Sequence, residues 1–288
     1  MQEVEVKGTR SLEYGRAIMW AALGAAFIAC YYQTFLWLNY KYSAAESYFS
    51  HGYLIPLISA YLIYQKRDEL AQTELSSSRF GLAVILAALI IHIFGVLSYV
   101  NFVSAFSMIL FLAGCSLYLL GRMVTRKIAF PLFYLVFMCP IPDAFINTVA
   151  LPSKSAATAI ALKIIDLIGI PYIQEGFRIV LVHSAYIVGA PCNGMRSIIS
   201  FLALGVLFLY IIRSSLWKKL LFLATIPFIA VFLNGVRIAI LLLVAHRYGQ
   251  EAASPESYLH DGSGLLVFVV GLVLMIIASR YINEDKKS

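Results

Sequence analysis

A chain of 288 residues with 61% hydrophobic and only 13% charged side chains carries about half the charge, near 25%, of a soluble domain. Apolar runs of roughly 18 residues or more exclude a soluble globular enzyme and leave no room for a separate soluble domain between them. The net charge of +7 and pI of about 9.2 would suit a nucleic-acid partner, but Lys and Arg sit in short stretches between apolar segments. That is the pattern that orients helices in a bilayer, so membrane lipids, and no nucleic acid, are the expected surroundings.

The first 16 residues are mixed in charge and lack a small-residue cleavage site, so no removable signal peptide is expected. The chain reads as a single integral membrane domain, all-α and polytopic, with about eight transmembrane helices. Their predicted bounds are about 17–38, 48–64, 80–99, 102–121, 127–142, 195–213, 218–246 and 264–282. The fifth ends in Cys139-Pro140-Ile141-Pro142, where two prolines stop a helix at the membrane surface. The seventh contains Pro227 and Asn234-Gly235 and is expected to tilt or kink.

With the N-terminus placed in the cytoplasm, fifteen of the 22 basic residues fall in inside segments, three to each. Five fall outside: Lys41, Lys154, Lys163, Arg178 and Arg247. This asymmetry predicts cytoplasmic N- and C-termini and an external connection over about 143–194. Within it, residues 144–168 alternate apolar stretches with Asn147, Ser153, Lys154, Lys163 and Asp166, which predicts an amphipathic helix lying at the interface or dipping into it, and not a full span. Residues 176–189 are β-branched with a polar break at His183-Ser184, which predicts a short β-hairpin leading to Cys192.

Of the four cysteines, Cys30 and Cys115 fall inside apolar runs and read as small hydrophobes. Cys139 and Cys192 lie near segment ends, and a disulfide between them stays open if both face an oxidising compartment.

The layout gathers polar groups at one leaflet. Cys192 lies just outside span six, His260 in the loop before span eight, His51-Gly52 at the start of span two, and Asn234 and Arg237 in the outer half of span seven. Arg237 is about nine residues from the end of its span, roughly 13 Å at 1.5 Å per residue, which is beyond comfortable snorkelling. An arginine at that depth costs about 2.5–3.5 kcal/mol on insertion scales, so such residues usually face a cavity and act there. Arg196, one turn into span six, either caps the segment or contacts headgroups. A thiolate, a proton shuttle and a stabiliser of negative charge make nucleophilic acyl chemistry. Cys192, His260 and Arg237 fill those roles as nucleophile, general acid/base and thiolate or oxyanion stabiliser, with Asn234, Arg196 and His51 in support. The reading invokes no cofactor and no metal.

At these residues the chain resembles the exosortase/archaeosortase family of polytopic cysteine transpeptidases. The resemblance is carried by Cys192-Asn193-Gly194, by Asn234-Gly235-Val236-Arg237, by His260, by Ser50-His51-Gly52-Tyr53-Leu54-Ile55 with Tyr61-Leu62-Ile63-Tyr64 and Arg67, and by the Pro140-Ile141-Pro142 break. It covers about 20–282, and His260 favours the bacterial branch. It implies an enzyme of the bacterial cytoplasmic (inner) membrane with its active site on the external, periplasmic side. Its partners would be exported proteins ending in a tripartite signal of short motif, transmembrane helix and basic tail. Cys192 would form a thioester with the cleaved substrate, released by an acceptor such as a surface lipid or polysaccharide. The alternative is a transporter or lipid-handling protein that uses Arg237 and His260 to bind an anionic substrate. A structural subunit of an export assembly is a third reading. Cys192→Ser separates the first two, since a transporter tolerates it.

Overall fold

The computed structural model describes residue 18 and residues 21–44, 47–189, 194–254 and 256–283, with the side chain of residue 261 left aside. The described chain is helical apart from one small sheet, and it divides into two compact units, residues 1–41 with 69–127, and residues 42–68 with 128–288.

The first unit holds α1 (Ala21–Cys30) and most of α2 (Tyr32–Ser43), which meet at a 67° bend. It also holds the antiparallel pair α5 (Arg79–Leu97) and α6 (Asn101–Leu119), followed by the short α7 (Arg122–Lys127). Without a hydrophobic drive between helices in lipid, close backbone approach has to supply the packing. Gly81 and Gly114 provide it: a side-chain carbon at Gly114 would lie 2.9 Å from the Ile85 amide, and one at Gly81 would strike the Tyr118 backbone.

The second unit starts with a 3₁₀ turn (Ser50–Tyr53) leading into α3 (Leu54–Gln65), with the short α4 (Arg67–Ala71) astride the boundary with the first unit. After the other unit the chain returns as α8 (Ala129–Tyr134), tightens to a 3₁₀ turn (Leu135–Met138) and ends at the expected proline break. There the Tyr42 hydroxyl, from the end of α2, donates to the Met138 carbonyl. Pro142 serves as N-cap of α9 (Asp143–Ile168). The α9 helix closes on Gly169, whose left-handed φ of 81° lets its amide and that of Ile170 bond back to Ile165, the geometry that satisfies terminal carbonyls.

Three antiparallel strands follow, β1 (Tyr172–Glu175), β2 (Arg178–Leu181) and β3 (Ala185–Ile187), in the order β1-β2-β3. The expected hairpin is therefore β2–β3, with its turn at His183-Ser184, and β1 is a strand that periodicity did not reveal. The unit ends with α10 (Met195–Ile211), α11 (Leu216–Tyr248) and α12 (Tyr258–Ile282). Side chains of α9, the sheet and α11 share one buried core that includes Ala157, Ile165, Ile179, Tyr186, Ile238 and Leu242. At its tightest point α11 has Gly235, where a side-chain carbon would lie 2.7 Å from Ile160 of α9.

Five helices are long and apolar enough to cross a membrane (α5, α6, α9, α11 and α12), and six if the bent α1–α2 pair counts as one. The expected spans at 48–64, 127–142 and 195–213 fall on shorter helices, α3, α8 with its 3₁₀ turn, and α10. The helix expected to lie at the interface, α9, instead passes the length and composition test for a span and packs along α11. Its polar residues had marked it as interfacial, but Ala157, Ala161 and Ile165 bury a full stripe of it. At about 1.5 Å per residue the 33 residues of α11 reach about 50 Å, beyond the ~30 Å hydrocarbon core. This helix runs through Pro227 without interruption.

Candidate active site

The residues singled out in the sequence belong to four segments of the second unit: 47–53, the start of α10, the middle of α11 and the start of α12. Cys192 lies outside the described residues, in 190–193. The chain resumes at Gly194, the N-cap of α10, with a left-handed φ of 76° that a residue with a Cβ adopts only at a cost.

Gly194 also lies against Asn234. A side-chain carbon there would fall 3.3 Å from the Asn234 amide nitrogen and 3.4 Å from its Cγ. Asn234 itself is 2% exposed, so the turn that follows Cys192-Asn193 rests on a buried carboxamide. One helical turn further along α11, Arg237 reaches across to α12. Its Nε donates to the Ser263 hydroxyl at 3.3 Å, and its Nη2 donates to the His260 carbonyl at 3.3 Å. Gly264 makes the room, because a Cβ there would stand 3.3 Å from Nη2.

His260 is 4% exposed and sits in the first turn of α12, not in a loop before the helix. The start moves to Tyr258 because the Ser257 hydroxyl caps the helix, accepting from the His260 amide at 3.1 Å. The His260 carbonyl accepts from the Ser263 hydroxyl at 2.7 Å as well as from Arg237. Through the His260 carbonyl, Arg237 thus ties the first turn of α12 to α11.

The supporting residues join α10 to the segment before α3. Arg196 donates from Nε to the Ser47 carbonyl at 2.8 Å. One turn later, the Ser200 hydroxyl shares a 3.3 Å hydrogen bond with His51 Nδ1. Gly52 is buried because the Tyr42 ring occupies the space a side chain would take. Arg196 thus ties the start of α10 to the segment before α3. Cys139 is a free, buried thiol; Cys192, the other member of the disulfide left open in the sequence, lies outside the described residues.

Ser257, Ser263 and Gly264 were missed in the sequence. Their signal was present as Ser257-x-x-His260-x-x-Ser263-Gly264, an i, i+3 pattern that puts the three polar residues on one helix face, but it reads as a capping motif until Arg237 is seen to meet it. Among the described residues, no group of three or more His, Cys, Asp or Glu could hold a metal ion.

The fold and the polar cluster define a multi-pass membrane protein in which three helix segments carry buried polar groups to one place. The match to a family model makes this specific: the transmembrane exosortase model aligns with residues 37–277, and the chain belongs to that family. No curated protein and no solved structure matches it.

Proposed function

We propose that the chain is a membrane cysteine transpeptidase that cleaves a C-terminal sorting signal on exported proteins. The observation that carries this reading is the packing of Gly194 on Asn234 together with the reach of Arg237 to the first turn of α12. These contacts bring the segment after Cys192, the Asn234–Arg237 pair and His260 into one region. Membership of the exosortase family supports it.

In the proposed reaction His260 takes the Cys192 thiol proton and the thiolate attacks the carbonyl carbon of the scissile peptide bond. Negative charge collects on the carbonyl oxygen, where Arg237 stabilises it. The C–N bond breaks, His260 returns the proton to the departing amine, and a thioester on Cys192 remains. An acceptor nucleophile, a surface lipid or polysaccharide group, then attacks the thioester, and the thiol is regenerated. Two features favour a reactive thiol: Cys192 stands two residues before the N-cap of the 17-residue α10, and helix N-termini and neighbouring cations both lower thiol pKa.

The proposed setting is the bacterial inner membrane with the site on its external face, the side opposite Lys218 and Lys219 at the start of α11 and Arg280 at the end of α12. The test is coexpression with a reporter ending in a short motif, an apolar helix and a basic tail. A size shift that the wild-type chain produces and Cys192→Ser abolishes is the expected result. An unchanged shift in Cys192→Ser overturns the thiol mechanism and favours the anion-binding alternative.

A further inference from the structure

The three-stranded sheet plays no part in the chemistry above, yet it feeds directly into it. β3 pairs with β2 in the register Arg178↔Ile187, Ile179↔Tyr186 and Val180↔Ala185. The Val188 amide donates to the Phe177 carbonyl and the Leu181 amide to the Ser184 carbonyl. In an antiparallel pair, bonded and non-bonded residues alternate. Ser184, Tyr186 and Val188 therefore turn their backbone groups toward β2, and Ala185 and Ile187 turn theirs away from it.

That outward edge has no strand on it among the described residues, because β3 ends the sheet. It is also unguarded. Edge strands are commonly protected by charge, proline or a bulge, whereas β3 reads Ala185-Tyr186-Ile187, and Ile187 is 60% exposed. One face is already committed: Tyr186, Ile179 and Leu181 are buried in the core shared with α9 and α11. What remains open, among the described residues, is an edge, with one N–H and one C=O from each of Ala185 and Ile187.

The strand also points the right way. At its start the Ser184 hydroxyl donates to the Ala245 carbonyl of α11 at 2.9 Å, and beyond its end Gly194 rests on Asn234. From Ala245 to Asn234 is about 16 Å along α11 at 1.5 Å per residue. The segment carrying β3 thus runs from the far end of α11 to the level of the candidate site, and from Ile187 to Cys192 an extended chain reaches at most about 17 Å.

We infer that the open β3 edge is a docking strand for an extended peptide, the segment of the substrate that precedes its membrane helix. The inference rests on the proposed function for its substrate and adds the mode of recognition. An added strand gains main-chain hydrogen bonds from the edge and specificity from alternate side chains. Pairing with Ala185 and Ile187 aligns the substrate backbone with the strand that leads to Cys192. The opposite edge offers Tyr172 and Gln174, since Ile173 and Glu175 bond to β2 by the same alternation, and β1 follows α9 instead of leading to the site.

The test uses the full-length chain in membranes with the tripartite-tailed reporter. Ile187→Pro removes one outward N–H and no bond to β2; Gln174→Pro does the same on the other edge. Ile187→Pro is expected to slow reporter processing at least tenfold, Gln174→Pro less than twofold, with Cys192 alkylation by iodoacetamide unchanged in both. Equal processing by the Ile187→Pro and wild-type chains overturns the docking strand while leaving the thiol mechanism standing; processing that survives Cys192→Ala overturns the mechanism itself. Should Ile187→Pro fail to accumulate, amide exchange decides. In a Cys192→Ala chain, exchange in the peptide covering 184–189 is expected to slow on adding reporter and not with protein concentration alone. No slowing, or slowing that follows protein concentration without reporter, which means a second copy on the edge, overturns the inference.

Discussion

Both units of the molecule bury polar side chains within apolar helices, and they do so differently. In the first unit, Tyr31, Thr34, His92, Ser104 and Ser107 form a neutral network. Ser104 shares hydrogen bonds with Thr34 and with His92 Nδ1 (2.8 Å), the Ser107 hydroxyl donates to the Ser104 carbonyl (2.7 Å), and Tyr31 shares a bond with Ser107 (3.2 Å). The Tyr31 and His92 rings stand 4.3 Å apart, and all five side chains are buried. The second unit instead holds a guanidinium, Arg237, bonded to the first turn of a neighbouring helix beside a buried Asn and His.

The difference separates two uses of polarity in lipid. A neutral network whose members bond one another carries little penalty, and it holds α5 and α6 to the Tyr31 bend. A cation is far more expensive there, and Arg237 donates to a backbone carbonyl and a hydroxyl of α12. The first cluster is bonded within itself; the second holds residues to which the proposed chemistry assigns roles.

Substitutions can break or sharpen this contrast. The largest expected effect is Cys192→Ala, which should abolish reporter processing and leave protein level unchanged on immunoblots. Arg237→Gln should lower processing by about 10²–10³-fold, the range found when an oxyanion donor is removed, and a smaller loss in Arg237→Lys would show that charge carries most of the effect. Gly194→Ala puts a Cβ on a left-handed residue pressed against Asn234, a strain of about 1–2 kcal/mol. It should slow processing about tenfold while the melting temperature of the detergent-solubilised protein falls by only a few degrees.

His92→Leu tests the other side of the contrast. It removes a partner from Ser104, so stability should fall by about 1–3 kcal/mol with the processing rate of the folded fraction unaffected. Loss of processing at unchanged stability would erase the distinction between the clusters. The smallest effect belongs to Arg196→Met: Arg196 is exposed and donates to the Ser47 carbonyl, so a stability loss of about 0.5–1.5 kcal/mol and a processing change under threefold are expected.

Much of the fold was legible because hydropathy runs map onto single helices. The runs at 80–99, 102–121 and 218–246 lie within two residues of α5, α6 and α11, and the Pro140-Ile141-Pro142 break and the β2–β3 hairpin stand where local chemistry placed them. What was hidden depended on pairs of residues far apart in the chain. That α9 packs along α11 follows from Ala157 and Ile160 meeting Gly235, and small residues look alike at an interface and on a surface. The start of α12 was read six residues late because His260 and Asp261 interrupt the apolar run, although Ser257 caps the helix ahead of them. Arg237 stood out in the sequence by its cost in lipid, and Asn234 and His260 by family resemblance. The use of the His260 carbonyl did not, since a main-chain acceptor leaves no mark on sequence.

The central claim is that Cys192 carries the acyl group during processing. Intact-mass measurement of the purified chain, quenched in acid while turning over the reporter, addresses it directly. The account predicts an adduct equal to the reporter's N-terminal fragment, mapped to Cys192, released by neutral hydroxylamine, and absent in Cys192→Ala. Processing at the wild-type rate with no adduct on Cys192, or with an adduct on another residue, would contradict it.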